Sequence, residues 1–259
     1  MRNKIAFIIF MGTILLYGCK SVSHVLYQEH PLVIDGNSND WQSLQLTEKE
    51  NIFYSITNDS ANIYLLLEIK DNNLQKKTFM SGLSVWIDTT GRKKTNLGII
   101  CPIKNDIAAM KQGSMQQLDQ MKRITKNPLI EAEFIGFEEK SLTCVASSNP
   151  YHIEISINSD ENSYLHYELK VPFSSLNKKI SDFKNQQISI GIEIGGVEMP
   201  PMGNKPEGMR GGQPAGQGRN MGTPPSGGMP GGMPGNSTMN ELKYPTKFWI
   251  KDNILSQTK

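Results

Sequence analysis

Cysteine is scarce in this chain, with three residues in 259. That excludes the disulfide-dense scaffold by which small secreted domains make up for a missing core. No C-x-x-C pair, H-E-x-x-H pair or G-x-S-x-G elbow occurs, so the local signatures of redox, zinc and hydrolase chemistry are missing. The four histidines, His24, His30, His152 and His166, fit no metal-ligand spacing. Carboxylate pairs such as Glu138-Glu139 establish no acid–base dyad. The chain is therefore read as a non-enzyme, with no cofactor. An excess of one charge is lacking too: 27 Lys and Arg stand against 25 Asp and Glu. With no basic stripe, nucleic acid is excluded as a partner. Long apolar runs are absent as well. The longest covers about a dozen residues, and a bilayer-spanning helix needs roughly 20.

That one apolar run is nevertheless informative. Arg2 and Lys4 precede an apolar stretch from Ile5 to Leu16, and Leu16-Tyr17-Gly18-Cys19 closes it. A basic head, a short apolar core and a small-residue exit are the parts of a secretory signal. With Cys19 at the exit, the segment resembles a bacterial lipoprotein signal. The resemblance implies a leader over residues 1–18, acylation of Cys19, and a membrane as partner through that lipid. Several acyl chains hold a protein firmly, at about 0.8 kcal/mol for each buried methylene. Lys20, where an acidic residue would favour the inner membrane, points to the outer one. Whether the chain faces the periplasm or the cell surface stays open. Residues 19–31 are read as a tether.

From Leu32 the pattern is that of strands. Ile63, Leu65, Leu67 and Ile69 alternate with Tyr64, Leu66 and Glu68. Leu83, Val85 and Ile87 alternate with Ser84, Trp86 and Asp88. Tyr151 to Ile157, Leu165 to Val171 and Ile188 to Ile194 repeat the same period. A period of two buries one set and leaves the other on a wetter face, which here includes His152 and His166. Many short strands separated by turn signals predict an all-β, antiparallel β-sandwich, immunoglobulin-like or jelly-roll-like, over residues 32–255. One short helix is expected between Asp106 and Ile124, where Ile107, Met110, Leu118 and Met121 recur at roughly helical spacing.

Residues 199–240 break the pattern, with 12 Gly, 8 Pro and 7 Met. Such a segment buries too little side chain to offset the entropy of ordering it, so it is read as a disordered loop. It is a candidate surface for a protein partner. Lys247-Phe248-Trp249-Ile250 reads as a strand again, so the loop lies inside the domain. Cys101 and Cys144 fall in strand-like runs. They are either a disulfide of an oxidising compartment or two buried thiols.

The order of segments is distinctive. Leu32-Val33-Ile34-Asp35-Gly36 leads into Asn39-Asp40-Trp41. The strand pair Ile52–Ile56 and Ile63–Ile69 ends in Asp71. Leu83-Ser84-Val85-Trp86-Ile87-Asp88 with Gly91 precedes Leu97-Gly98-Ile99, and Tyr167-Glu168-Leu169-Lys170-Val171-Pro172 precedes Ile188–Ile194. This resembles the family-nine carbohydrate-binding modules and similar domains on Bacteroidetes lipoproteins. The resemblance covers residues 32–255. It implies a β-sandwich that binds sugars, often by their reducing ends, in a cleft with stacking tryptophans, with structural calcium in some members. The alternative is a structural or protein-interaction lipoprotein with the same fold and no sugar site.

Sugar binding needs flat aromatic faces with polar groups beside them. Trp86 and Asp88 alternate away from Leu83, Val85 and Ile87, so both are candidates for an outer face or groove, although Trp86 would also fit beneath the segment at 105–125. Trp249 alternates away from Phe248 and Ile250 and is a third candidate. Trp41 is a fourth, with the sandwich edge as its other reading. Asp35, Asn37, Asn39 and Asp40 gather oxygen ligands that suit calcium, but no full EF-hand loop is present and a polar Asx turn explains the cluster more simply. No metal ligand is assigned.

Overall fold

The computed structural model describes residues 23–41, 45–47, 50–104, 129–184, 186–196 and 242–257. Residues 1–22 with Cys19, the helix expected between Asp106 and Ile124, and the loop at 199–240 lie outside the described residues. Those described form two β-sheets and one α-helix.

One sheet has seven strands. It is built from β1 (Ser23–His24), β6 (Leu83–Asp88), β7 (Gly98–Ile100), β8 (Glu131–Ile135), β9 (Leu142–Val145), β12 (Gln187–Ile194) and β13 (Thr246–Ile254). They lie in the order β1-β13-β12-β6-β7-β8-β9. The other sheet holds β2 (Leu26–Tyr27), β3 (Gln45–Thr47), β4 (Ile52–Asn58), β5 (Asn62–Ile69), β10 (Glu154–Ser159) and β11 (Leu165–Pro172). Its order is β10-β11-β5-β4-β2, with β3 on β4. Pairing is antiparallel except for β1 on β13 and β2 on β4.

The core lies between the sheets, built from the inward sets that the alternation predicts. Leu65, Leu67 and Ile69 of β5 and Leu165, Tyr167 and Leu169 of β11 meet Leu83 and Val85 of β6 and Ile190 and Ile192 of β12. The final strand returns to the sheet as expected, antiparallel to β12, with Phe248 and Ile250 buried.

Three features differ from the sequence reading. Residues 23–31 are not a free tether. β1 and β2 pair with the sheets, and Val25 between them is buried in the core. The helix α1 (Asn72–Ser81) sits where no helical period was evident. Its ends are written in local chemistry instead. The Asp71 carboxylate accepts hydrogen bonds from the backbone N–H groups of Asn73 (2.9 Å) and Leu74 (2.8 Å), and Gly82 ends it at φ 84°, a left-handed angle that glycine adopts freely. Thirdly, the outer face of β5 and β11 is not wet. Tyr64, Leu66, Glu68, His166 and Glu168 are all buried. The segment 32–41 folds over part of that face, and Leu32 and Trp41 pack with Tyr64 and Leu66 in a second apolar cluster. Of the two histidines read as wetter, only His152 is exposed.

The cysteines are both free. Cys144 stands opposite Ala132 of β8, while β7 pairs with the other edge of β8 and runs on into Cys101. The two thiol-bearing strands are thus separated by a whole strand, or ~10 Å, beyond the reach of a disulfide. Burial pushes the Cys101 thiol up to about 12. In a chain carrying Cys19→Ser, reductant is expected to leave the melting temperature unchanged. A thiol reagent should label half-buried Cys144 in the native protein and Cys101 only after unfolding, as counted by mass spectrometry.

Candidate functional site

The outer face of the seven-stranded sheet carries two of the three tryptophans, and the strand register sets them in one row. Trp249 of β13 is opposite Gly191 of β12. Gly191 is opposite Trp86 of β6, and Trp86 is opposite Gly98 of β7. The row reads Trp, Gly, Trp, Gly across four strands. Each indole lies over the glycine of the next strand. A Cβ placed on Gly191 would stand 3.0 Å from three atoms of the Trp249 ring, and one placed on Gly98 would strike the Trp86 ring closer still. The glycines therefore serve as space, and the rings lie down along the sheet. Both tryptophans are half-buried, with one ring face toward the backbone.

One pleat along on the same face come Lys247, Glu193 and Ser84, paired across β13, β12 and β6. Glu193 accepts a hydrogen bond from Trp86 Nε1 at 3.3 Å and a charged one from Lys247 Nζ at 2.7 Å. This fixes the indole edge and sets a carboxylate and an ammonium beside the rings. Such a surface offers apolar planes with donors and acceptors at their margin.

Asp88 shares the strand with Trp86 but not its surroundings. Its carboxylate is buried and turned into the hairpin that follows, accepting from Thr90 N at 2.9 Å, Thr90 Oγ1 at 2.7 Å and Lys94 N at 2.9 Å. Burial alone would raise its pKa, but these hydrogen bonds prevail and hold it below the usual carboxylate range.

Trp41 is on the other sheet, far from Trp86 in the topology and only 9% exposed. Its Nε1 donates to Glu168 Oε1 at 2.8 Å, and the other oxygen of Glu168 accepts from the Gly36 N–H at 2.6 Å. Glu168 is thus the anchor of the covering segment, a role the alternation did not reveal. Desolvation, reinforced by Asp40 and Asp35, raises its pKa against these two hydrogen bonds. The folded state then holds this proton more tightly than the unfolded chain. The contribution is fully present below the unfolded value, about 4.3, and is lost as pH rises through the raised folded value. Glu168→Gln is expected to gain stability relative to wild type as pH rises through that window. Glu168→Ala, leaving two buried donors unpaired, is expected to cost about 2–4 kcal/mol in urea unfolding at neutral pH.

The cluster Asp35, Asn37, Asn39 and Asp40 is a chain of polar turns. Asp35 accepts from Asn37 N at 2.8 Å, Asn37 from Asn39 N at 3.1 Å, and Asp40 from Val33 N at 3.2 Å. Among the described residues no group of three His, Cys, Asp or Glu is placed to hold a metal ion, and no helix is long and apolar enough to cross a membrane.

A cleft of about 700 Å³ opens at one end of the sandwich between Asn51, Asp71, Lys77, Tyr244 and Lys247. Its polar groups are largely engaged within the fold. Asp71 caps α1, and buried Lys77 donates to Thr246 Oγ1 at 2.8 Å. Tyr244 is 63% exposed at its rim. Lys247 belongs to both the cleft and the edge of the tryptophan row.

Two solved structures are similar to this chain. One is a carbohydrate-binding module of family 9 from Caldicellulosiruptor kristjanssonii in complex with glucose, with a TM-score of 0.34 and 11% identity over 68% of this chain and 78% of that one. The other is a family 9 module from the same organism in complex with cellotriose, with a TM-score of 0.33, 11% identity and the same coverage. No family model and no curated protein matches. At such identity and TM-score the sandwich rests on its own ladders, and the site on its own residues.

Proposed function

We propose that this chain is a non-catalytic lipoprotein of the cell envelope whose sandwich binds carbohydrate on the outer face of its seven-stranded sheet. The observation that carries the reading is the row of Trp249, Gly191, Trp86 and Gly98, in which two indoles lie along the outer sheet face with Glu193 and Lys247 beside them. The apolar face of a pyranose stacks on an aromatic plane, and its hydroxyls seek charged and polar partners at the margin. Each indole covers a glycine of the next strand and so leaves its other face as an apolar plane on the sheet surface. The order of residues in the first nineteen positions supports acylation at Cys19, and Lys20 supports attachment to the outer membrane. A glycan array probed with the fluorescently labelled mature domain tests the binding. Signal on a family of related glycans, with acrylamide quenching of tryptophan emission relieved by the bound sugar, is the expected result. A blank array with the fold intact would sink it.

A further inference from the structure

The register of the row also specifies what kind of glycan the face accepts, an inference that rests on the sugar-binding reading above. Trp249 and Trp86 stand on strands separated by β12 alone. Both indoles lean the same way, each onto the glycine of the next strand. Their separation is therefore kept at two strand spacings, ~10 Å. The line joining them runs across the strands. In an extended chain of pyranose rings joined by equatorial bonds, neighbouring rings are turned over, so the same face recurs at every second ring. Two ring lengths match the two-strand separation.

We infer that the face takes an internal stretch of an extended β-linked glycan, laid across the strands, with rings n and n+2 stacked on Trp249 and Trp86. The intervening ring passes between the two indoles, where Glu193 and Ser84 stand one pleat to the side. Both ends of the row run out along the sheet, from Gly98 towards Ile135 on one side and past Trp249 to the β13 edge on the other. Among the described residues nothing in the row closes around a chain terminus. The ligand is then recognised by its repeat and not by its end. The row also sets a minimum length of three rings for full engagement.

The test is calorimetric titration of the mature domain with β-1,4-linked gluco-, xylo-, manno- and N-acetylglucosamine oligosaccharides of one to six units, and with the longest of each after borohydride reduction of its end. In the series that binds, affinity is expected to rise at least tenfold from two units to three or four and then level off. Reduction of the terminus should change it less than twofold. Trp249→Ala, checked for an unchanged circular dichroism spectrum, is expected to abolish the rise so that two and four units bind alike. Full affinity for a single unit, or loss of binding on reduction, overturns the internal-chain inference while leaving sugar binding intact. Silence across all four series overturns this inference, and the proposed function falls with it only if the glycan array is blank as well.

Discussion

A chain stopped at Pro245 is expected to lose cooperative folding altogether. β13 lies between β1 and β12, so its removal strips the ladder from both. It also removes Phe248, Ile250 and Leu255 from the core, each worth about 1.5–3 kcal/mol on burial. Together with the lost backbone pairing this matches the whole stability of an ordinary domain, about 5–15 kcal/mol. A cooperative urea transition in the truncated chain would show that the sandwich closes without its last strand. Deleting residues 200–239 is the control. That change keeps β13 and shortens only the connection, and loop-closure entropy then favours the shortened chain by about 2 kcal/mol at most. Phe248→Ala alone should cost about 3 kcal/mol and leave a two-state transition.

The second large effect is on ligand binding. Trp86→Ala combined with Trp249→Ala is expected to weaken glycan binding about 100-fold, at about 1.4 kcal/mol for each ring removed. The melting temperature should change far less than it does for a core substitution, because both rings are on the outer face and neither belongs to the core. Trp86→Ala alone also frees Glu193 from one of its two donors, leaving the Lys247 ion pair. Exposed pairs of this kind contribute about 1 kcal/mol or less. Trp41→Ala should show the opposite profile, with stability lost and affinity kept, since that indole is buried against Glu168. Tyr244→Ala separates the row from the neighbouring cleft. Affinity unchanged in Tyr244→Ala and lost in the double tryptophan variant places the ligand on the row. The reverse places it in the cleft.

The inner faces were legible because they obey one rule. Ile63 to Ile69, Leu83 to Ile87 and Ile188 to Ile194 alternate, and alternation marks the strand and its buried face at once. The outer faces were less legible because two different things happen there. On β5 and β11 the alternate set is covered by a distant segment, whose docking depends on the pairing of Glu168 with Gly36 and Trp41, 132 and 127 residues away. Leu66 in the supposedly wet set was the trace of this in the sequence. On β6 and β13 Ser84, Trp86, Lys247 and Trp249 stay on the outer side, while Asp88 and Asn253 are buried. Trp86 and Trp249 could each be placed outward from the pattern. Their alignment through Gly191 could not, because register between strands 163 positions apart is a property of the sheet and not of either segment. Helix α1 is faint in the sequence for a simpler reason. It is short and weakly amphipathic, and only Asp71 and Gly82 at its ends announce it.

On the proposed acylation of Cys19, the pairing of β1 with β13 would set how far the domain can stray from the membrane. An acylated Cys19 would leave Lys20, Ser21 and Val22 between the lipid and Ser23, a leash no longer than about 14 Å even at full stretch. The edge strand that takes up this leash is the immediate neighbour of the strand bearing Trp249, four residues from the first paired position. The row of indoles would then ride low over the bilayer, sweeping a shallow layer at the membrane surface and leaving polymers further out untouched.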